Sequence, residues 1–401
     1  MEVRPIFSAL LRNRAGAILV SLQIAITLAI VVNAIYVTQQ RVEKIGRPSG
    51  IDDQNIFSFT VTGFEKNFDF QAMVREDMAL LRQMPGVVDA APIQQVPLSG
   101  SGSSTGYYSL PDKKGKESPA NYFSTDEHGV TTLGVKLSAG RTFDPAMIEH
   151  RDKDVQGQAP TAIVSQGFAT ALFPKENALG KTFYDDQSKP VKIIAVIEHM
   201  HGSWVGWDKV DRVVLIPQVG PGPGTRYIVR TQPGQIDQVM TATETALRKR
   251  DPNRVVGKLT KMSDHKKRSY AGDSFMAFTL TGVTGLVLVF SSLGIFGLAT
   301  FNVNNRTRQI GTRRAVGARR RDIVRYFMTE NWMVTTAGVV VGSMLALAAG
   351  FWLSNQYQMP RLDLYYLLAG VLGLWAVGQL AAWQPSKRAA KVSPAMATRN
   401  V

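Results

Sequence analysis

The sequence predicts an α-helical integral membrane protein with four transmembrane helices and one large α+β extracytoplasmic domain. Three observations carry that expectation. Four stretches of the 401 residues, 15–40, 274–305, 331–360 and 364–386, contain no Asp, Glu, Lys or Arg. The excess of 46 basic over 31 acidic residues sits almost wholly in short segments beside those stretches. Between the first two lies a long, charge-balanced stretch in which strand and helix patterns alternate.

Each charge-free stretch holds about 20 mostly apolar residues, the length a helix needs to cross about 30 Å of hydrocarbon. A charge at mid-membrane costs about 2.5–3.5 kcal/mol on the insertion scale, which explains the gaps. Buried core helices rarely run past 12–14 apolar residues without a charge. The spans are therefore placed at 15–40, 274–305, 331–355 and 364–384. The mean hydropathy of −0.04 hides them because the intervening domain is polar.

Charge then sets orientation. Residues 1–14 carry +2, residues 306–330 carry +6 and residues 385–401 carry +4, whereas 41–273 carries only +3 over 233 positions. The positive-inside rule puts both termini and the 306–330 loop in the cytosol, and residues 41–273 on the far side of the membrane. The first span reads as an uncleaved anchor, being too long for a signal peptide and lacking a cleavage site. The basic excess is topological, so nucleic acid is excluded as a partner. With no cysteine, the external domain rests on its core alone.

Within that domain, 55–61 alternates as a strand, 69–84 carries Phe70, Met73, Val74, Met78 and Leu81 on one helical stripe, and 87–92 resumes as strand. Residues 227–231, 235–250 and 254–259 repeat the β-α-β order. Two such halves predict a split ferredoxin-like layer, over 52–132 and 209–262. Strands at 161–165, 181–184, 191–197 and 212–216 predict a β-rich insertion, placed at 133–208. The Ser/Gly-rich run 99–106 reads as a flexible loop.

Chemistry is sparse. No G-x-x-x-x-G-K-(S/T) loop occurs, so the chain is not expected to hydrolyse ATP by itself. No hydrolase elbow or H-E-x-x-H helix is present, and no catalytic residue, cofactor site or metal site is assigned. His199 and His201 fall on one side of a strand end and could pair on a metal, but further ligands are not evident. Trp204 and Trp207 nearby suit packing or a partner contact. In the spans, Gln23, Asn33 and Gln379 could line a conduit, although single amides more often bond between helices. Gly338-x-x-x-Gly342, with Gly282, Gly285, Gly294 and Gly297, permits close helix approach. No span is expected to hold a carboxylate or base for a proton relay.

The 306–330 loop is richer than a basic anchor. Ile310, Val316, Ile323 and Val324 interleave with eight arginines, and Gly317-Ala318 allows a turn between two short helices. A small, basic, partly apolar knob suits docking into a partner's groove. From 305 to 323 this loop resembles the E-R-T-R-E-I-G-I-R-(R/K)-A-(L/I)-G-A pattern of the MacB/FtsX-like permeases of ABC transporters, the mechanotransmission type. Pro385-Ser-Lys-Arg-Ala389 and the tail through Pro394 and Arg399 resemble the same family's closing signature. Leu133-Gly134, Gly140-Arg141, Ala171-Leu-Phe-Pro174 and Leu179-Gly180-Lys181 resemble its periplasmic core domain.

The resemblance implies a permease subunit without enzymatic activity, in which ATP and Mg bind a separate cytosolic ABC ATPase. It places Ile310, Gly311, Arg314, Gly317, Ala318, Arg320 and Ile323, with Val316 between them, at the ATPase interface. Asn305 and Gln309 stand where the family has acidic residues. The resemblance further implies a second permease copy or paralogue, a periplasmic adaptor and an outer-membrane channel. The expected task is export of a peptide, antibiotic or other amphiphile. The alternatives are an FtsX-type signal to a cell-wall hydrolase and extraction of lipoproteins from the inner membrane.

Overall fold

The computed structural model describes residues 14–64, 68–150, 159–251, 253–357 and 360–393. The closing signature beyond 393 lies outside the described residues. The chain divides into a membrane unit, residues up to Gly46 and from Asp273 onward, and an external unit, Arg47–Gly272.

Four helices of the described residues are long and apolar enough to cross a membrane: Arg14–Gly46, Ala271–Asn305, Arg320–Tyr357 and Leu364–Ala389. Each contains an expected span and runs beyond it into charged sequence, because a helix satisfies its own backbone in water or lipid. Val20, Ile24, Leu28 and Val32 recur every four residues along the first span. They pack against Ile295, Val334, Val339, Leu367 and Leu374 from the other three. Gly338 and Gly342 explain the close approach. A Cβ on Gly338 would lie 2.7 Å from the Ser21 carbonyl oxygen, and one on Gly342 would lie 2.9 Å from the Ala25 Cα. This small-residue pair therefore serves a contact inside the chain.

Three polar groups of the first span bond to other helices. Gln23 Nε2 donates to the Phe290 carbonyl (3.3 Å), and Asn33 Nδ2 donates to those of Ala29 (2.8 Å) and Ala346 (3.1 Å). Thr27 Oγ1 meets Ser291 Oγ at 2.5 Å. In hydrocarbon these groups have no water to turn to, so the bonds set helix register.

In the external unit, β1 (Ile56–Gly63), helix Phe70–Arg82 and β2 (Val87–Ile93) form the first expected β-α-β half. Next come β3 (Ser104–Leu110), β4 (Lys114–Thr125), β5 (Leu137–Gly140), β6 (Glu149–His150) and β7 (Thr161–Ser165). They are followed by β8 (Thr182–Tyr184), β9 (Pro190–Ile197) and β10 (Val213–Val219). The second half is β11 (Thr225–Thr231), helix Ile236–Arg250 and β12 (Arg254–Val256). The layer runs β12–β1–β11–β2 with every neighbour antiparallel.

The β-rich part is wider than the expected 133–208. Pairing closes on itself through β4, β3, β8, β9, β7 and β10, so strands before and after that range complete a ring. Inside it, Tyr107, Phe168 and Phe183 meet edge to face at 5.2–5.5 Å. The 99–106 run is also more ordered than its composition implies. Ser104 to Gly106 belong to β3, and the buried Gln95 amide binds both the N–H and the carbonyl of Ser103.

The two β-α-β halves are locked by a buried ion pair. Arg254 Nη1 donates to both Asp77 carboxylate oxygens (2.9 and 2.8 Å), and the Tyr227 hydroxyl donates to Asp77 Oδ2 (3.1 Å). Asp77 is 0% exposed, and burial pushes its carboxyl above the ordinary value despite the Arg254 guanidinium. Asp77→Ala should leave Arg254 buried without its counter-charge, a loss of about 3–5 kcal/mol. The external unit should then melt roughly 10 °C lower by thermal unfolding of the purified chain, whereas an unchanged midpoint would contradict this reading.

Candidate functional site

The knob between the second and third spans is built from the ends of three membrane helices. After Asn305 a short helix, Thr307–Ala315, doubles back. Gly317 ends it at φ +101°, a backbone state that favours glycine, and its N–H bonds to the Arg314 carbonyl at 3.2 Å. The Asp322 carboxylate then accepts the Arg319 N–H at 3.0 Å, opening helix Arg320–Tyr357.

The eight residues expected at an ATPase interface divide into two sets. Ile310 and Ile323 are buried in a small core with Val303, Phe327, Ala389 and Ala390, and Gly311 is buried beside them. Ala318 packs partly against that core. Arg314 Nη1 donates to the carbonyls of Ala390 (3.2 Å) and Val392 (2.6 Å). Only Val316, Gly317 and Arg320 are exposed, with Val316 84% accessible. Arg308, Arg313, Arg319 and Arg321 of the same loop are also exposed.

Beneath the knob lies a pair that sequence reasoning missed. The third membrane helix begins at Arg320 rather than 331, so Glu330 lies inside it and is buried. Arg306 Nη1 binds Glu330 Oε2 at 2.8 Å and so joins the second helix to the third. Glu330 lies in the part of that helix that precedes the expected span at 331–355, where it is held by an arginine. The sequence signal was the lone Glu330 at the edge of a charge-free stretch, 24 residues after Arg306. At the other end of the second helix, Asp273 binds Arg41 (2.5 Å) and Lys44 (2.9 Å) of the first.

The two histidines of the candidate pair lie side by side. His199 and His201 lie edge to face with ring centroids 4.7 Å apart, and His199 Nε2 meets the Pro48 carbonyl at 2.7 Å. Among the described residues no group of three or more ligating side chains occurs. Trp204 and Trp207 pack edge to face at 6.0 Å, half-buried.

The chain belongs to the MacB-like periplasmic core domain family, which it matches over residues 17–262, and it matches the FtsX-like permease C-terminal family over residues 281–394. Among curated relatives, a protein named macrolide export ATP-binding/permease protein MacB 2, from Aeromonas hydrophila, is 24% identical over 96% of this chain and 58% of its own length. The ABC transporter permease YknZ of Bacillus subtilis is 25% identical over 71% of each chain. A pyoverdine export ATP-binding/permease protein of Pseudomonas syringae is 24% identical over 68% of this chain and 42% of its own. The chain thus spans about half the length of the two ATP-binding/permease relatives. The crystal structure of the periplasmic region of MacB from Actinobacillus actinomycetemcomitans aligns over 56% of this chain and 97% of that one, with a TM-score of 0.36 and 15% identity.

Burial governs His201, which is 2% exposed. Desolvation, reinforced by His199, Arg47 and Lys266, lowers its pKa from 6.5 to about 4. Between those values the unfolded chain takes up a proton that the folded chain refuses. Its stabilising contribution is therefore present above pH 6.5 and is lost as pH falls toward 4, by about 3 kcal/mol. His265, also lowered by burial, acts in the same direction. His201→Gln should flatten the fall in unfolding midpoint between pH 7 and pH 4.5, and a slope identical to the wild type would contradict the assignment.

Proposed function

We propose that this chain is the permease subunit of an ATP-driven transporter, with a cytosolic ABC ATPase docking on the Val316–Gly317–Arg320 tip. The carrying observation is the combination of that exposed tip with the packed core behind it. A pocket on the ATPase takes Val316, and acidic groups around that pocket face Arg308, Arg319, Arg320 and Arg321. Displacement of the tip passes into two uninterrupted helices of 35 and 38 residues, roughly 52 and 57 Å long at 1.5 Å per residue. The second helix follows directly in sequence on the external unit, whose last residue is Gly272. Lys266 is bound to Asp53 at 2.7 Å and His265 to Ser58 at 2.9 Å, so the segments by which the chain enters and leaves that unit move together.

The work done outside is export of a peptide, antibiotic or other amphiphile, received by an adaptor and an outer-membrane channel. The names of the macrolide and pyoverdine export relatives support that class of cargo. A second copy or a paralogue completes the permease.

Val316→Asp places a charge in the ATPase pocket, and Gly317→Pro forbids the +101° turn. Either should reduce ATPase co-purification from native membranes at least tenfold while the chain still inserts. Retained association in both variants would refute docking at the tip. Recovery of a wall hydrolase instead of an adaptor and channel would replace export with signalling.

A further inference from the structure

We infer that Arg314 is a positioning residue that fastens the end of the fourth span to the docking knob, and does not itself contact the ATPase. The inference rests on the docking reading above and concerns the side of the knob that faces away from the tip. The fourth helix ends at Ala389, and the carbonyls of the residues that follow it have no partner within the helix. Arg314 supplies donors there, reaching the Ala390 carbonyl at 3.2 Å and the Val392 carbonyl at 2.6 Å. A guanidinium at this position also meets the negative end of the helix dipole. Ala389 and Ala390, 0% and 3% exposed, sit in the same core as Ile310, Ile323 and Phe327. The contact is therefore both charged and packed.

The other arginines of the loop behave differently. Arg308, Arg313, Arg319, Arg320 and Arg321 are exposed, and Arg313 lies over the Tyr326 ring at 4.6 Å. Arg314 alone in the short helix Thr307–Ala315 donates to main chain that follows the fourth span, among the described residues. Through it, a push on the tip reaches the fourth span as well as the second and third. Lysine at this position keeps the charge and a single donor nitrogen on a flexible stem but loses the rigid planar guanidinium, so it should hold the tail only in part.

The chain has no cysteine, so an introduced thiol is the single one it carries, and its labelling is read on the permease band after the subunits are separated. Ala390→Cys, in the full permease–ATPase complex, is labelled with a water-soluble maleimide and the rate is measured. With Arg314 present the thiol should react slowly. Arg314→Gln should raise the rate at least tenfold, and Arg314→Lys should give an intermediate rate, with ATPase co-purification unchanged in both. An unchanged rate in Arg314→Gln would overturn the strut. Loss of the ATPase with a slow thiol would also overturn it, returning Arg314 to the docking face. Should Arg314→Gln fail to accumulate, Arg314→Lys carries the test, and a wild-type rate there overturns the proposal. Failure of the docking reading shows separately, as an ATPase retained by Val316→Asp.

Discussion

Hydrocarbon cannot solvate a charge or an unbonded peptide group, and the organisation of this chain follows from that constraint. It clears Asp, Glu, Lys and Arg from four stretches, and gathers +12 of the net +15 into three short flanking segments. It also gives the few polar groups inside the bundle structural work. Asn33 and Gln23 spend their donors on neighbouring helices, and Glu330 is buried only because Arg306 meets it. Where two helices must approach closely, glycine removes the side chain, as at Gly338 and Gly342 against the first span.

The same constraint explains what could be read from the sequence. The spans were legible because length and missing charge are local properties, and the two β-α-β halves because periods of 3.6 and 2 are local as well. The pairing between distant elements was not. Nothing near Asp77 announces Arg254, 177 residues further on, and nothing near β4 announces its parallel partner β10. Short helices such as Gln166–Leu172 escaped because seven residues barely complete two turns of amphipathic pattern. Glu330 was missed for a related reason. Helix ends run past the apolar window, so a residue just outside the window can still be buried.

The knob shows how a motif read as one surface can divide into two. The pattern of Ile310, Val316 and Ile323 among arginines marked the segment, but a short helix followed by a turn has an inside and an outside. Ile310, Gly311, Ile323 and Arg314 form the inside, which holds the ends of the second, third and fourth spans together. Val316, Gly317 and Arg320 form the outside. A tip without that packed base would bend when pushed, and a base without the tip would offer nothing to push on.

The central claim is that motion delivered at the tip reaches the external unit. The cysteine-free chain allows a single spin label at Leu110, which is exposed on β3, in each of two copies of the reconstituted complex. The distance between the two labels, measured with ATP and with ADP, should differ by several ångströms. That difference should vanish when the tip carries Val316→Asp. The same distance in both nucleotide states, or a change that survives in the tip variant, would contradict transmission through the knob.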